Sequence, residues 1–247
     1  RKCLKYFKEE KRRVYKGGFM RRLIYVPILH SSADMGTIAS ELEKTGTAMV
    51  GAEGWKRHKE AISKFWDSTE EYFKSLNAKD FQIYQDGLLA DEELGMKVVN
   101  SAAAKGSKNH QIIKELVSRG AKIVKTEDAN TLMDEVNLIK KMANSDSKLK
   151  KLVSAIHYRI VKNKLLKKRD EFIAARINST LMKKGVIFIG AYHNIIPLLD
   201  KNIKVEEVKE KTKIEEYQKI FFLKNKHERV KELTEYLAAP YLETQVL

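Results

Sequence analysis

The chain predicts an α/β protein: a mostly parallel central sheet flanked by helices, with a long helical insertion before the last strong strand and a C-terminal helix. Two observations carry this reading. Four apolar, strand-like runs stop abruptly, 23–29 at His30-Ser31-Ser32, 81–84 at Gln85-Asp86-Gly87, 121–124 at Lys125-Thr126-Glu127-Asp128, and 185–190 at Ala191-Tyr192-His193. Each is followed by a helix-like segment, and strands alternating with helices imply βαβ units and parallel pairing. In such sheets ligands bind beyond the carboxyl ends of the strands. Two imidazoles and several carboxylates are thereby delivered to one edge.

After the first strand, residues 33–37 lead into a helix through about residue 44, with Ser31, Ser32 and Asp34 as candidate caps. Trp55, Ile62, Phe65, Trp66, Thr69, Phe73 and Leu76 recur at three- and four-residue steps, which predicts a long amphipathic helix over 55–76 with its aromatics in the core. Residues 91–104 and 108–119 read as two helices separated by Gly106 and stopped at Gly120. A helix is expected over 127–142, then a turn at Asn144-Ser145-Asp146-Ser147. From 148 to 183 there is neither Gly nor Pro. An apolar stripe of Leu149, Leu152, Val153, Ile156 and Ile160 makes this a long helix or a helical hairpin. Residues 203–208 offer a fifth strand. Ile214, Tyr217, Ile220 and Phe221 begin a C-terminal helix whose period Val230, Leu233 and Leu237 continue. The expected organisation is one domain over 20–247, with the helical insertion at about 128–183.

The chain has 247 residues, 43% hydrophobic and 33% charged. No apolar run approaches the roughly 20 residues a membrane helix needs. Its single cysteine, Cys3, supports neither a disulfide framework nor a thiolate metal site and points to a reducing cytoplasm. A net charge of +15 raises the prospect of a polyanionic partner. Much of the excess lies in residues 1–19, which are dense in Lys and Arg and hold only Glu9 and Glu10 as acids. Lys16-Gly17-Gly18-Phe19-Met20 can be encoded by a purine-rich stretch resembling a ribosome-binding site. We therefore expect Met20 to be the native start and 1–19 to be upstream sequence. An intact mass beginning upstream of Met20 would contradict this.

His30 and His193 each follow a strand, where a histidine can act as a general base or bind a metal. Asp86 is presented by a turn that Gly87 permits. Glu127 and Asp128 suit either catalysis or the capping of the following helix. Two imidazoles with one or two carboxylates would suit Zn²⁺, Mn²⁺ or Fe²⁺, with His30, His193 and Asp86 as ligands, although no His-Glu-x-x-His spacing supports it. Arg169, Ile173 and Arg176 share one helical face. A positive group there can hold an anionic substrate or stabilise an oxyanion, or it can belong to a solvated, salt-bridged helix.

Arg169-Asp170, Ile173-Ala174 and the run 185–193 together resemble the C-terminal signature of the TraB and Tiki families, in which an Arg-Asp or Arg-Asn helix precedes a strand ending in Gly-x-x-His. That group is related to erythromycin esterases and ChaN-like haem-binding proteins. Its first motif, another Gly-x-x-His, is matched by Pro27-Ile28-Leu29-His30 without the glycine. Its next strand carries a Glu where this chain has Gln85-Asp86, so the carboxylate is Asp86 displaced by one position, or absent. The resemblance covers about 20–194. It implies an α/β sheet with a helical insertion and a site of His30, an acid near strand two, Arg169 and His193.

The leading expectation is a hydrolase of peptide or ester bonds. His30 and His193 would bind a divalent metal or activate water, Asp86 or Glu127 would serve as base, and Arg169 would stabilise negative charge. The alternative is a non-catalytic or regulatory protein binding haem or an anionic metabolite over His193 and Arg169. Nucleic-acid binding through Lys148, Lys150, Lys151, Arg159, Lys162, Lys164, Lys167 and Lys168 is disfavoured, because these residues spread around a helix with no stacking aromatics between them.

Overall fold

In β1 (Arg21–Ile28) every residue except Arg22 is buried, and in β4 (Lys184–Gly190) the five central residues are. Continuous burial of this kind requires cover on both faces of the sheet. A computed structural model provides it. The structure describes residues 19–34, 39–134, 137, 148–221, 223 and 226–241, with residue 32 and residues 148–162 described through their backbone. The remaining strands are β2 (Gln82–Gln85), β3 (Lys122–Val124) and β5 (Ile203–Glu207). All five are parallel, in the order β3-β2-β4-β1-β5. The last strong strand in sequence therefore lies at the centre. The register pairs Ile28 with Gly190 and Gln85 with Phe188, which aligns the carboxyl ends of β1, β4 and β2.

The two-residue period of the strands splits the core in two. Ile24, Val26 and Ile28 point to one face, where they meet Trp55, Phe65 and Trp66 of α1 (Ala39–Ser75), Ile112, Ile113 and Leu116 of α3 (Lys108–Ser118), and Ile214 and Leu233 of α5 (Lys211–Ile220) and α6 (His227–Ala238). Leu23 and Tyr25 point to the other, against Ile173, Ala174 and Ile177 of α4 (Lys148–Thr180). The predicted apolar stripe of 55–76 is the buried side of α1, and this helix breaks its regular path at Gly51, whose φ is 77°. Between α1 and α3 lies α2 (Glu92–Ala104), close to its expected bounds.

Residues 148–180 form one long helix, the first of the two expected forms. One expectation changes. The C-terminal helix is two, α5 and α6, separated at 221–226. A single helix over 211–238 would run about 40 Å, too long to lay Tyr217 and Leu237 on the same cluster, and the break folds both back onto it. Residues 129–134 are helical, as expected for the 127–142 segment. The rest of that segment (137 apart), the 144–147 turn and residues 1–18, with the proposed start signal, lie outside the described residues. No helix among the described residues is long and apolar enough to cross a membrane.

Candidate active site

At the end of β2, Gly87 takes a φ of 81°, a left-handed turn that glycine adopts without steric cost. The backbone N–H of Asp86 donates to Phe188 O at 2.9 Å, extending the β2–β4 ladder by one bond and fixing Asp86 against β4. After β4, His193 N–H donates to Gly190 O at 3.1 Å, a tight turn that folds the imidazole back over the strand end. The two side chains meet with Asp86 Oδ2 3.4 Å from His193 Nε2, and the same oxygen accepts from Gly190 N–H at 3.3 Å. On its other side His193 Nδ1 donates to Asp170 Oδ1 at 2.6 Å, and Asn194 N–H donates to Asp170 Oδ2 at 3.0 Å.

Arg169 completes the network. Its Nη2 donates to Asp86 Oδ1 at 2.7 Å and to Glu127 Oε1 at 2.7 Å, while Nε faces both Glu127 oxygens at 3.1 and 3.2 Å. Glu127 is fully buried. Asp128 points elsewhere and caps the following helix, accepting from Thr131 N–H at 2.9 Å. The capping and catalytic readings of this pair thus divide between the two residues. Arg176 lies on the same face of α4 and reaches Lys125 O and Asp91 instead.

Three carboxylates therefore surround two cations in a site where Glu127, Asp170 and His193 are buried and Asp86 and Arg169 keep partial exposure. Burial disfavours charge on His193, but the hydrogen bonds and charges of Asp170 and Asp86 outweigh it and raise its pKa from 6.5 to about 9. Burial also acts against charge on Asp86. His193, then Arg169 and the Gly190 N–H, overcome it and hold that carboxyl well below its ordinary value. For Glu127 burial prevails over Arg169 and pushes the carboxyl up. At neutral pH, His193 is an imidazolium clasped between carboxylates.

Asp86, Glu127, Arg169 and His193 are the sequence-predicted site residues that the structure brings together. His30 is not among them. It is exposed, forms no hydrogen bond or ion pair with this network, and lines a cleft above β1. Sequence reasoning gave Asp170 no role, although it is the partner that fixes His193. Its signal was its place beside Arg169. Gln85, in the position expected of a Glu, is buried and structural: Asn109 Nδ2 donates to its Oε1 at 2.9 Å, and its own Nε2 donates to Asp86 O at 3.1 Å.

A second histidine group lies nearby. Ser107, just before α3, donates its hydroxyl to Asp34 Oδ1 and lies 2.8 Å from His110 Nδ1, while Asp34 Oδ2 also accepts from Ser31 N and Oγ at 2.7 and 2.8 Å. Asp34 is thus tied to Ser31 and to the start of α3. Burial lowers the His110 pKa, with Asp34 opposing and His30 reinforcing the shift.

The donor set does not fit a divalent cation as placed. Both oxygens of Asp86 and both ring nitrogens of His193 face protein partners. Among the described residues no three His, Cys, Asp or Glu side chains gather as a metal site would require. Nor does the network leave an anionic metabolite a cation without a carboxylate at its side. Lys164, Lys167 and Lys168 of the basic segment are exposed on α4, and the other basic side chains named there lie outside the described ones. Comparison with family models, curated proteins and solved structures gave no match. The class defined by fold and site is therefore an α/β protein with a buried acid–base network at its strand ends.

Proposed function

We propose that this chain is a hydrolase of ester or peptide bonds in a reducing compartment, with Asp86 and His193 as its proton acceptor and donor. The observation that carries the reading is the pairing of these two groups at the carboxyl ends of β2 and β4, with their pKa values driven apart. Such divergence separates an acid from a base. The 169–193 likeness to the TraB and Tiki signature belongs to the same proposal.

In this scheme a water bound at Asp86 gives its proton to the carboxylate as its oxygen bonds to the carbonyl carbon. The ester or amide bond then breaks, and the leaving group takes the proton from His193 Nε2. The proton on Asp86 passes back to His193, which restores both groups. A carboxylate held so low is a weak base at rest. Insertion of substrate into the 3.4 Å contact removes the hydrogen bond that most strongly depresses it and returns its basicity. Asp170 holds the imidazole in place, and Arg169, engaged with Glu127 and Asp86, acts as a positioning residue.

The test is hydrolysis of p-nitrophenyl acetate and butyrate and of a peptide library, with and without EDTA. Asp86→Asn and His193→Gln should each reduce turnover by about a hundredfold or more, and EDTA should leave it unchanged. A double variant as active as the wild type would overturn the scheme. Loss in EDTA that Mn²⁺ or Zn²⁺ restores would favour the metal-dependent reading.

A further inference from the structure

The chain has two tryptophans, and both line one cleft of about 280 Å³ that opens above the end of β1, away from the acid–base network. Trp55, Trp66, Ile62 and Leu42 form its apolar walls, and His30, His58, Lys59 and Lys108 supply its polar atoms. Trp66 is fixed by donation of its indole N–H to Leu29 O at 2.8 Å. His58 is fixed by its Nδ1 contact with Tyr217 Oη at 2.7 Å and by stacking on Phe221, with ring centroids 4.2 Å apart. These restraints preform the cavity, so a ligand entering it meets ordered rings.

Charge decides what that ligand is. Lys59 is matched by Glu43 at 2.6 Å, and Lys108 by Glu70 at 3.4 Å and Asp67 at 3.6 Å. Burial drives the His58 pKa from 6.5 to about 4, so its imidazole is neutral. Its Nε2 has no hydrogen-bond partner among the described residues and is available to one polar atom of a guest. A charged guest would lose hydration without gaining an opposite charge.

We infer that this cleft is a small-molecule site for an uncharged, planar aromatic ring bearing one hydrogen-bonding substituent, which packs against the wall of Trp55, Ile62 and Leu42, backed by the buried Trp66, and bonds to His58. The site stands apart from the proposed hydrolytic centre and holds or fails independently of it.

Because both tryptophans line the cleft, their intrinsic fluorescence reports occupancy directly. The experiment titrates the full chain with benzamide, benzoate and cyclohexanecarboxamide. Benzamide should change the emission saturably, and benzoate and the saturated amide should bind at least about tenfold more weakly. Ser63 is exposed at the rim, and Ser63→Phe fills the mouth without touching the core. With circular dichroism unchanged, this variant should abolish saturable binding. His58→Phe, which keeps the stacked ring, should weaken it about tenfold. A linear, collisional response in the wild type would overturn the site, as would saturation that persists in Ser63→Phe. Benzoate binding as tightly as benzamide would overturn the uncharged-ligand assignment.

Discussion

His193 is buried and His110, near the start of α3, is half-buried, yet their pKa values move in opposite directions. His193 meets the Asp170 carboxylate directly at 2.6 Å and has Asp86 on its other side. His110 meets a serine hydroxyl, and its nearest carboxylate, Asp34, lies beyond that hydroxyl. Burial penalises the charged form at both sites. Direct ionic contact reverses that penalty, whereas a hydroxyl interposed between carboxylate and ring does not. The partner a histidine meets sets its charge, more than burial alone does.

The largest expected effect comes from removing the cation that holds the first group together. Arg169→Met strands the fully buried Glu127 and the Asp86 carboxylate and should cost about 4 kcal/mol in denaturant unfolding. A loss below about 1 kcal/mol would show that the network does not bind its charges as tightly as its geometry implies.

The dependence of stability on pH comes next. Because the folded pKa of His193 is raised, its contribution is complete below pH 6.5 and is lost as pH rises through about 9. The wild type should lose on the order of 2 to 3 kcal/mol across that window relative to His193→Gln. Asp86 has the opposite sign. Its depressed pKa adds stability that is present above 3.8 and lost as pH falls through the folded value. Parallel curves for wild type and His193→Gln between pH 6.5 and 9 would remove the distinction between the two histidines.

The fold was largely legible in the sequence. Strands buried on both faces leave apolar runs, and β1 to β4 were found within one or two residues. Strand order was not legible, because nothing in the run 184–190 says that it inserts between β1 and β2. That insertion brings Asp86 to His193. His30 and His193 looked equivalent because each follows a strand, yet the turn after β4 folds His193 inward while His30 is exposed. Asp170 was passed over beside Arg169. Successive residues of a helix point about 100° apart, so Arg169 faces the ends of β2 and β3 while Asp170 faces the turn after β4. The Asp34–Ser107–His110 group joins two segments far apart in the chain and has no periodicity to reveal it.

The smallest effect sharpens the contrast from the other side. Ser107→Ala removes the bridging hydroxyl and should cost about 1 kcal/mol, with His110 remaining neutral at pH 7. Asp170→Asn should instead lower the pKa of His193 measurably. A rise of the His110 pKa in Ser107→Ala would show that the hydroxyl, rather than burial, keeps that ring neutral.

The most direct measurement is an NMR titration of the ring resonances of His193 and His110 in the folded protein, assigned with His193→Gln and His110→Gln. His193 should remain protonated through pH 8 with a midpoint near 9, and His110 should be neutral at pH 7. A His193 midpoint at or below 6.5 would contradict the charged acid–base pair on which the account rests.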